Sequence, residues 1–148
     1  MKNTLNVDLQ HNLPESPEFT GKLPTQSNIR EWLNALDISG EITVRIVDKR
    51  ESEALNRQYR KKEGPTNILS FPFAYPDICL GDLIICAPLV AEEAMAQHKT
   101  FEAHFVHLII HGTLHLLGYD HGTDEEAHTM ETKEIAILAQ LGYRNPYE

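Results

Sequence analysis

With 148 residues, 41% of them hydrophobic and 24% charged, the chain has the size and composition of one soluble globular domain with a core of its own. No apolar run is long enough to span a bilayer, and the start, Met1-Lys2-Asn3-Thr4-Leu5, lacks a signal-peptide core, so a cytoplasmic location and no membrane partner are expected. The net charge of −9 argues against broad, nonspecific binding to nucleic acid. Cys79 and Cys86 show no CxxC spacing and read as buried, reduced thiols rather than a disulfide framework.

Leu5, Val7 and Leu9 alternate with polar neighbours and predict a half-buried strand. His11 to Pro24 holds three prolines and reads as a loop, with His11 exposed. Ser27 to Leu36 predicts a helix with Ser27 as its N-cap and Ile29, Trp32, Leu33 and Leu36 on one face. Ile42, Val44 and Ile46 predict a second strand. A helix follows from about Arg50 to Tyr59, with Ala54, Leu55 and Tyr59 inward, and then a turn at Lys61-Lys62-Glu63-Gly64-Pro65. Asn67 to Phe71 predicts a third strand, and Pro72 and Pro76 interrupt what comes after. Leu83 to Cys86 is the most strand-like run, expected to be buried on both faces. Pro88 suits the first turn of a helix reaching about Gln97. A long helix follows from about Phe101 to Leu117, with Phe101, Phe105, Leu108, Ile109 and Leu116 as its apolar surface. Thr123 and Glu126 have capping-box spacing and begin a last helix through Met130, Ile135, Ala136 and Leu138 to Leu141; Gly142 ends it, and residues 144–148 form a tail. These elements predict a single α+β layer domain over residues 1–148, with a small mixed sheet of about four strands and about five helices.

The chemistry gathers in His111-Gly112-Thr113-Leu114-His115-Leu116-Leu117-Gly118-Tyr119-Asp120-His121. A helical residue turns about 100°, so His111 and His115 differ by about 40° and share one face. Gly118 can take the left-handed conformation that ends a helix, which lets His121 return to the same ion. Three neutral imidazoles with an open fourth position describe a catalytic zinc site, one ion per chain. The spacing is that of the metzincin proteases, H-E-x-x-H-x-x-G-x-x-H, except that Gly112 stands where their catalytic glutamate stands. That glutamate is the general base of peptide hydrolysis, so the motif keeps the metal and drops the usual peptidase chemistry.

Around the motif, His107 and His104 nearly continue the histidine stripe, with His107 expected in a packing role or beside the ligands. Asp120 reads equally as a turn residue or as a group that orients a ligand, and Met130 as plain core or as a floor under the metal. His98 and His128 lie outside the motif. Six of the 13 Lys and Arg residues, Lys49, Arg50, Arg57, Arg60, Lys61 and Lys62, fall in one segment. Glu51, Glu53 and Glu63 partly neutralise it, so a solvated face competes with a polyanion-binding one. Arg60 offers a fork of donors that matches a phosphate, provided the turn after Tyr59 approaches the metal. Ser70 and Asp82 either line a cleft or cap a turn.

Taken together, Arg60, Pro65-Thr66-Asn67-Ile68-Leu69-Ser70-Phe71-Pro72, Leu80-Gly81-Asp82 and the block His111 to His121 resemble the YbeY family of bacterial, zinc-dependent endoribonucleases. The resemblance spans roughly residues 40–143 and leaves the N-terminal third undiagnosed. It implies a single-metal hydrolase that cuts single-stranded RNA, acting in 16S rRNA 3′-end maturation, rRNA processing and small-subunit quality control. It implies zinc on His111, His115 and His121, and Arg60 in the active cleft; Arg60 and His111 are the expected catalytic residues. The implied partners are an rRNA precursor, the small ribosomal subunit and ribosome-associated proteins, with no DNA partner. Asn67 stands where many members have Asp, so a carboxylate at that position is not available as the base. Two rival readings follow from the same residues: a peptidase-like zinc hydrolase with a different base, or a ribosome-binding factor whose zinc is structural.

Overall fold

The computed structural model describes residues 5–13, 19, 21–72 and 79–148, except for the side chain of Cys79. The sequence expectations for Pro14, Pro17, Pro76 and the Cys79 thiol lie outside these residues. In chain order the elements are β1 (Leu5–Asn12), α1 (Gln26–Asn34), β2 (Gly40–Val47), α2 (Lys49–Arg60), β3 (Ile68–Pro72), β4 (Cys79–Cys86), α3 (Ala87–Ala96), α4 (Phe101–Leu116) and α5 (Asp124–Gln140). The α+β class, the four-stranded mixed sheet and the five helices expected from the pattern are all present.

The sheet runs in the order β1-β2-β4-β3. β1 pairs parallel with β2 and β2 parallel with β4, while β3 returns antiparallel along β4. Registered partners share a face, because strand side chains alternate. Val7 with Ile42, Val44 with Leu83, and Ile46 with Ile85 and Ile68 therefore form one apolar face. These residues are buried and join Phe105, Ile109, Ile110 and Leu114 of α4 in a single core. α4 is thus held between the sheet and the helices α1, α3 and α5. Asp82 and Ile84, on the opposite face, are only half-buried, so β4 is covered more fully on one side than its composition suggests.

Several local expectations need correction. β1 continues to Asn12, so His11 is an exposed strand residue rather than a loop residue. The N-cap of α1 is Thr25, whose hydroxyl accepts from the Asn28 amide while the Asn28 side chain accepts from the Thr25 amide. Two reciprocal hydrogen bonds satisfy more of the helix end than Ser27 could two residues later. In α2 the buried residues are Ser52 and Asn56, whereas Ala54 and Tyr59 are exposed. Ser52 exchanges hydrogen bonds with the backbone of Thr66, and Asn56 donates to the Gly64 carbonyl at 2.9 Å. Polar side chains, not an apolar stripe, therefore seat α2 on the loop that leads into β3.

Candidate metal centre

α4 carries the first two histidines, and its own sequence explains where they point. Gly112 lies against the apolar sheet face so closely that a Cβ there would sit 2.8 Å from Cδ1 of Ile68 and 2.9 Å from Cδ2 of Leu83. The Ser70 hydroxyl also donates to the Gly112 carbonyl at 3.3 Å. With Gly112, Thr113 and Leu114 buried, His111 and His115 are left half-buried on the outer side of the helix. The glutamate position of the peptidase motif is therefore a packing position with no room for a side chain.

After Leu116 the helix ends in a motif that turns the chain around. The Gly118 amide donates to the His115 carbonyl and the Tyr119 amide to the Leu114 carbonyl, both at 3.0 Å. Gly118 has φ +102°, in the left-handed region that glycine enters without a Cβ penalty. The reversal brings His121 back over the helix, and the His121 amide donates to Asp120 Oδ1 at 2.7 Å. The ring centroids of His111, His115 and His121 lie 4.7, 4.9 and 5.6 Å apart. One nitrogen from each ring falls within 4.8 Å of the other two, a spacing from which a metal ion can be held.

Burial, then the neighbouring His111 and His121, push His115 below its ordinary pKa, which favours the neutral imidazole that binds metal. A second cluster, His107, His111 and Glu134, also has metal-ligating chemistry. Its members are joined by hydrogen bonds. Glu134 Oε1 is 2.7 Å from His111 Nδ1 and 3.4 Å from His107 Nε2, and Tyr147 donates its hydroxyl to Glu134 Oε2 at 2.5 Å. Burial would raise the Glu134 carboxyl, but its hydrogen bonds to His107, His111 and Tyr147 outweigh burial and hold it at about 2. Because Nδ1 of His111 is engaged there, Nε2 is the nitrogen left to face the other two histidines.

The histidines open into a cleft of about 840 Å³ whose other walls include Tyr59, Arg60, Asn67, Ser70, Phe71, Asp120 and Tyr147. Arg60, the last residue of α2, is exposed in this cleft, and no carboxylate among the described residues pairs with it. Lys62 does not line the cleft, Arg57 pairs with Glu53 and Lys49 with Glu92. Asn67 donates to Glu93 at 3.1 Å, and Glu93 Oε1 also lies 2.8 Å from Nε2 of the buried His104. His104 is thus part of a packed polar cluster, and His107 part of the Glu134 cluster. Ser70 lines the cleft, but Asp82 does not. Met130 is core, and also borders a small cavity with His111, His121 and Glu134.

Glu134 and Tyr147 were not singled out by the sequence reading. A signal for Glu134 existed: a carboxylate at its position interrupts the buried stripe of Met130, Ile137 and Leu138 on α5. Nothing in the sequence marks Tyr147.

Comparison with known proteins agrees with this arrangement. Residues 17–142 match the family model described as Endoribonuclease YbeY. A protein of Coxiella burnetii named Endoribonuclease YbeY is 53% identical, covering 97% of this chain and 99% of its own. Proteins of the same name from Albidiferax ferrireducens and Nitrosococcus oceani are 46% and 44% identical, over 99% and 98% of this chain and 100% and 98% of theirs. The solution structure of a Thermotoga maritima protein superposes with a TM-score of 0.54 at 25% identity, covering 90% of this chain and 91% of that one. The motif block, the fold and these relatives together make the chain a member of the YbeY family.

Proposed function

We propose that this chain is a zinc-dependent endoribonuclease that cuts single-stranded RNA in the cytoplasm, during 16S rRNA 3′-end maturation and small-subunit quality control. The observation that carries this reading is that Arg60 and the three histidines, far apart in sequence, line one cleft. His111, His115 and His121 would hold one Zn²⁺, and among the described residues no fourth ligating side chain joins this group, which suits a metal that does chemistry. Zinc bound there would supply an acidified water or polarise a phosphoryl oxygen.

The chain's own residues do the rest. Arg60 holds a phosphate with two parallel N–H donors and offsets the charge that builds in the transition state. Partial burial, and then the neighbouring His111 and His121, lower the pKa of His115 and so favour its neutral, ligating form. Asp120 is the one acidic residue lining the cleft among the described residues. The net charge of −9 is offset locally by the exposed Arg60, Lys61 and Lys62, so RNA approaches from the α2 side. An rRNA precursor on the small ribosomal subunit and its associated proteins are the proposed partners, as family membership suggests.

Metal analysis coupled to an RNase assay tests the proposal. The purified chain should carry one zinc and cut unstructured RNA, and His115→Ala should lose both. Full metal occupancy in His115→Ala would refute the ligand set, and metal-loaded chain without RNase activity would refute the enzyme.

A further inference from the structure

We infer that Tyr147, beyond the residues matched by the family model, is a positioning residue for the metal centre and acts on His111 through Glu134. The inference rests on the proposed ligand set and asks what fixes the orientation of its first member.

The path is short and continuous. The Tyr147 hydroxyl donates to Glu134 Oε2 at 2.5 Å, and the other carboxylate oxygen, Oε1, accepts from His111 Nδ1 at 2.7 Å. The Glu134 side chain is fully buried, whereas His111 is half-buried and Tyr147 is exposed, so both contacts lie at the edge of the interior. His107 closes the group: its Nε2 lies 3.4 Å from Glu134 Oε1 and 3.3 Å from the Tyr147 hydroxyl, and its ring meets Tyr147 edge-on at 5.4 Å. A carboxylate that accepts from one nitrogen of a histidine fixes the tautomer, aims the other nitrogen and raises its basicity as a ligand. Without the phenol, Oε2 of Glu134 would be buried with one donor fewer, and the carboxylate would be freer to rotate away from Nδ1.

The backbone delivers Tyr147 with the same device that delivers His121. α5 is closed by Gly142, two residues past its end, whose φ is +92°; the Gly142 amide donates to the Ala139 carbonyl at 3.0 Å, and the Tyr143 amide to the Leu138 carbonyl at 2.8 Å. Residues 143–148 then run back along the molecule. Lys99 Nζ donates to the Pro146 carbonyl at 2.8 Å, and the Tyr143 hydroxyl to Glu102 at 2.8 Å. One anchor just before α4 and one in its first turn thus hold the segment that carries Tyr147 to the cleft wall.

The test is zinc affinity in the full-length chain, measured by competition with a chromophoric chelator, for Tyr147→Phe, Glu134→Gln and His115→Ala. Melting of the metal-free proteins serves as the structural control. Glu134→Gln should weaken zinc by about 10- to 100-fold, the usual effect of losing a ligand's hydrogen-bond partner. Tyr147→Phe keeps the ring and removes only the hydroxyl; it should fall between wild type and Glu134→Gln, with the metal-free protein still melting in one cooperative transition. In the cobalt(II)-substituted protein both variants should shift the visible ligand-field bands, which a purely structural role would leave in place. Wild-type zinc affinity and an unshifted cobalt spectrum in Tyr147→Phe would overturn the inference. Should His115→Ala keep its zinc, the ligand set itself fails, a result distinct from the failure of Tyr147.

Discussion

Gly112 and Leu83 are in contact across the interface between α4 and the sheet, with no space between them for a β-carbon. The absence of the peptidase glutamate is therefore a consequence of how closely this helix is seated. A Gly112→Ala chain should be destabilised by about 1–3 kcal/mol, the usual cost of overpacking a core. For a chain of this size that lowers the melting temperature by roughly 2–4 °C per kcal/mol. Gly112→Glu should create no peptidase, because its side chain meets Ile68 and Leu83 rather than substrate. Zinc-dependent hydrolysis of an unstructured peptide by Gly112→Glu, or by the wild type, would contradict this account.

Arg60 and Lys62 are two residues apart, yet only Arg60 lines the cleft. Arg60→Ala should leave zinc content intact and change stability by no more than about 0.5 kcal/mol, as for most exposed positions. RNA cleavage should fall by about two orders of magnitude, the scale seen when one donor to a developing oxyanion is removed. Arg60→Lys should recover little, since a point charge does not reproduce the fork. Lys62→Ala should weaken RNA binding modestly and flatten its salt dependence. Equal, near-normal cleavage in the two alanine variants would show Arg60 to be one more solvated charge.

Gly118 tests the delivery of His121. Alanine at a left-handed position costs roughly 1–2 kcal/mol. The chain can relieve that strain by opening the turn, which moves His121 away from His111 and His115. Gly118→Ala should therefore lose zinc affinity while the sheet and α4 stay folded by circular dichroism. Unchanged affinity would mean that the turn is not what places His121.

The Arg45–Glu51 pair should set part of the acid sensitivity of the fold. Burial raises the Glu51 carboxyl, but hydrogen bonds from Arg45, at 2.8 Å, and from Asn12 outweigh it and leave its pKa below 4.5. A carboxylate with a depressed folded pKa contributes stability that is fully present above its unfolded value and lost as pH falls through the folded one. Glu51→Gln should therefore be less stable than wild type at pH 7, and the gap should narrow progressively below about pH 4.5. A gap independent of pH in urea titrations would assign the effect to packing rather than charge.

Much of this was legible in the sequence, for identifiable reasons. The strands and the long helices announce themselves because one face of each is buried, and burial imposes a period. The three histidines were legible because a helix and one glycine turn place them by local geometry alone. The seating of α2 was not, because Ser52 and Asn56 are held by hydrogen bonds to the backbone of a loop, and no periodicity encodes such contacts. Exposed Tyr59 looked like a core residue on the same account. Asn28 competes for the start of α1 through its side chain, which moved the cap from Ser27 to Thr25. Tyr147 was invisible because its partners, Glu134 and His107, lie 13 and 40 residues away and are brought to it only by the tertiary fold.

The half-buried His111 and His115 stand on the open face of a helix whose other faces are packed in the core, while His121 is exposed on the short segment after Gly118. The proposed ligand set is therefore a rigid jaw of two donors and a third on a tether. Such a jaw should capture an ion first and latch second. Ordering the tether subtracts conformational entropy from the binding free energy, at about 1–2 kcal/mol for each residue fixed. Zinc release should then be gated by the unlatching of His121 rather than by any loosening of α4. Hydrogen exchange should report this directly: added metal should slow exchange in residues 117–123 while the amides of α4, already protected, hardly respond.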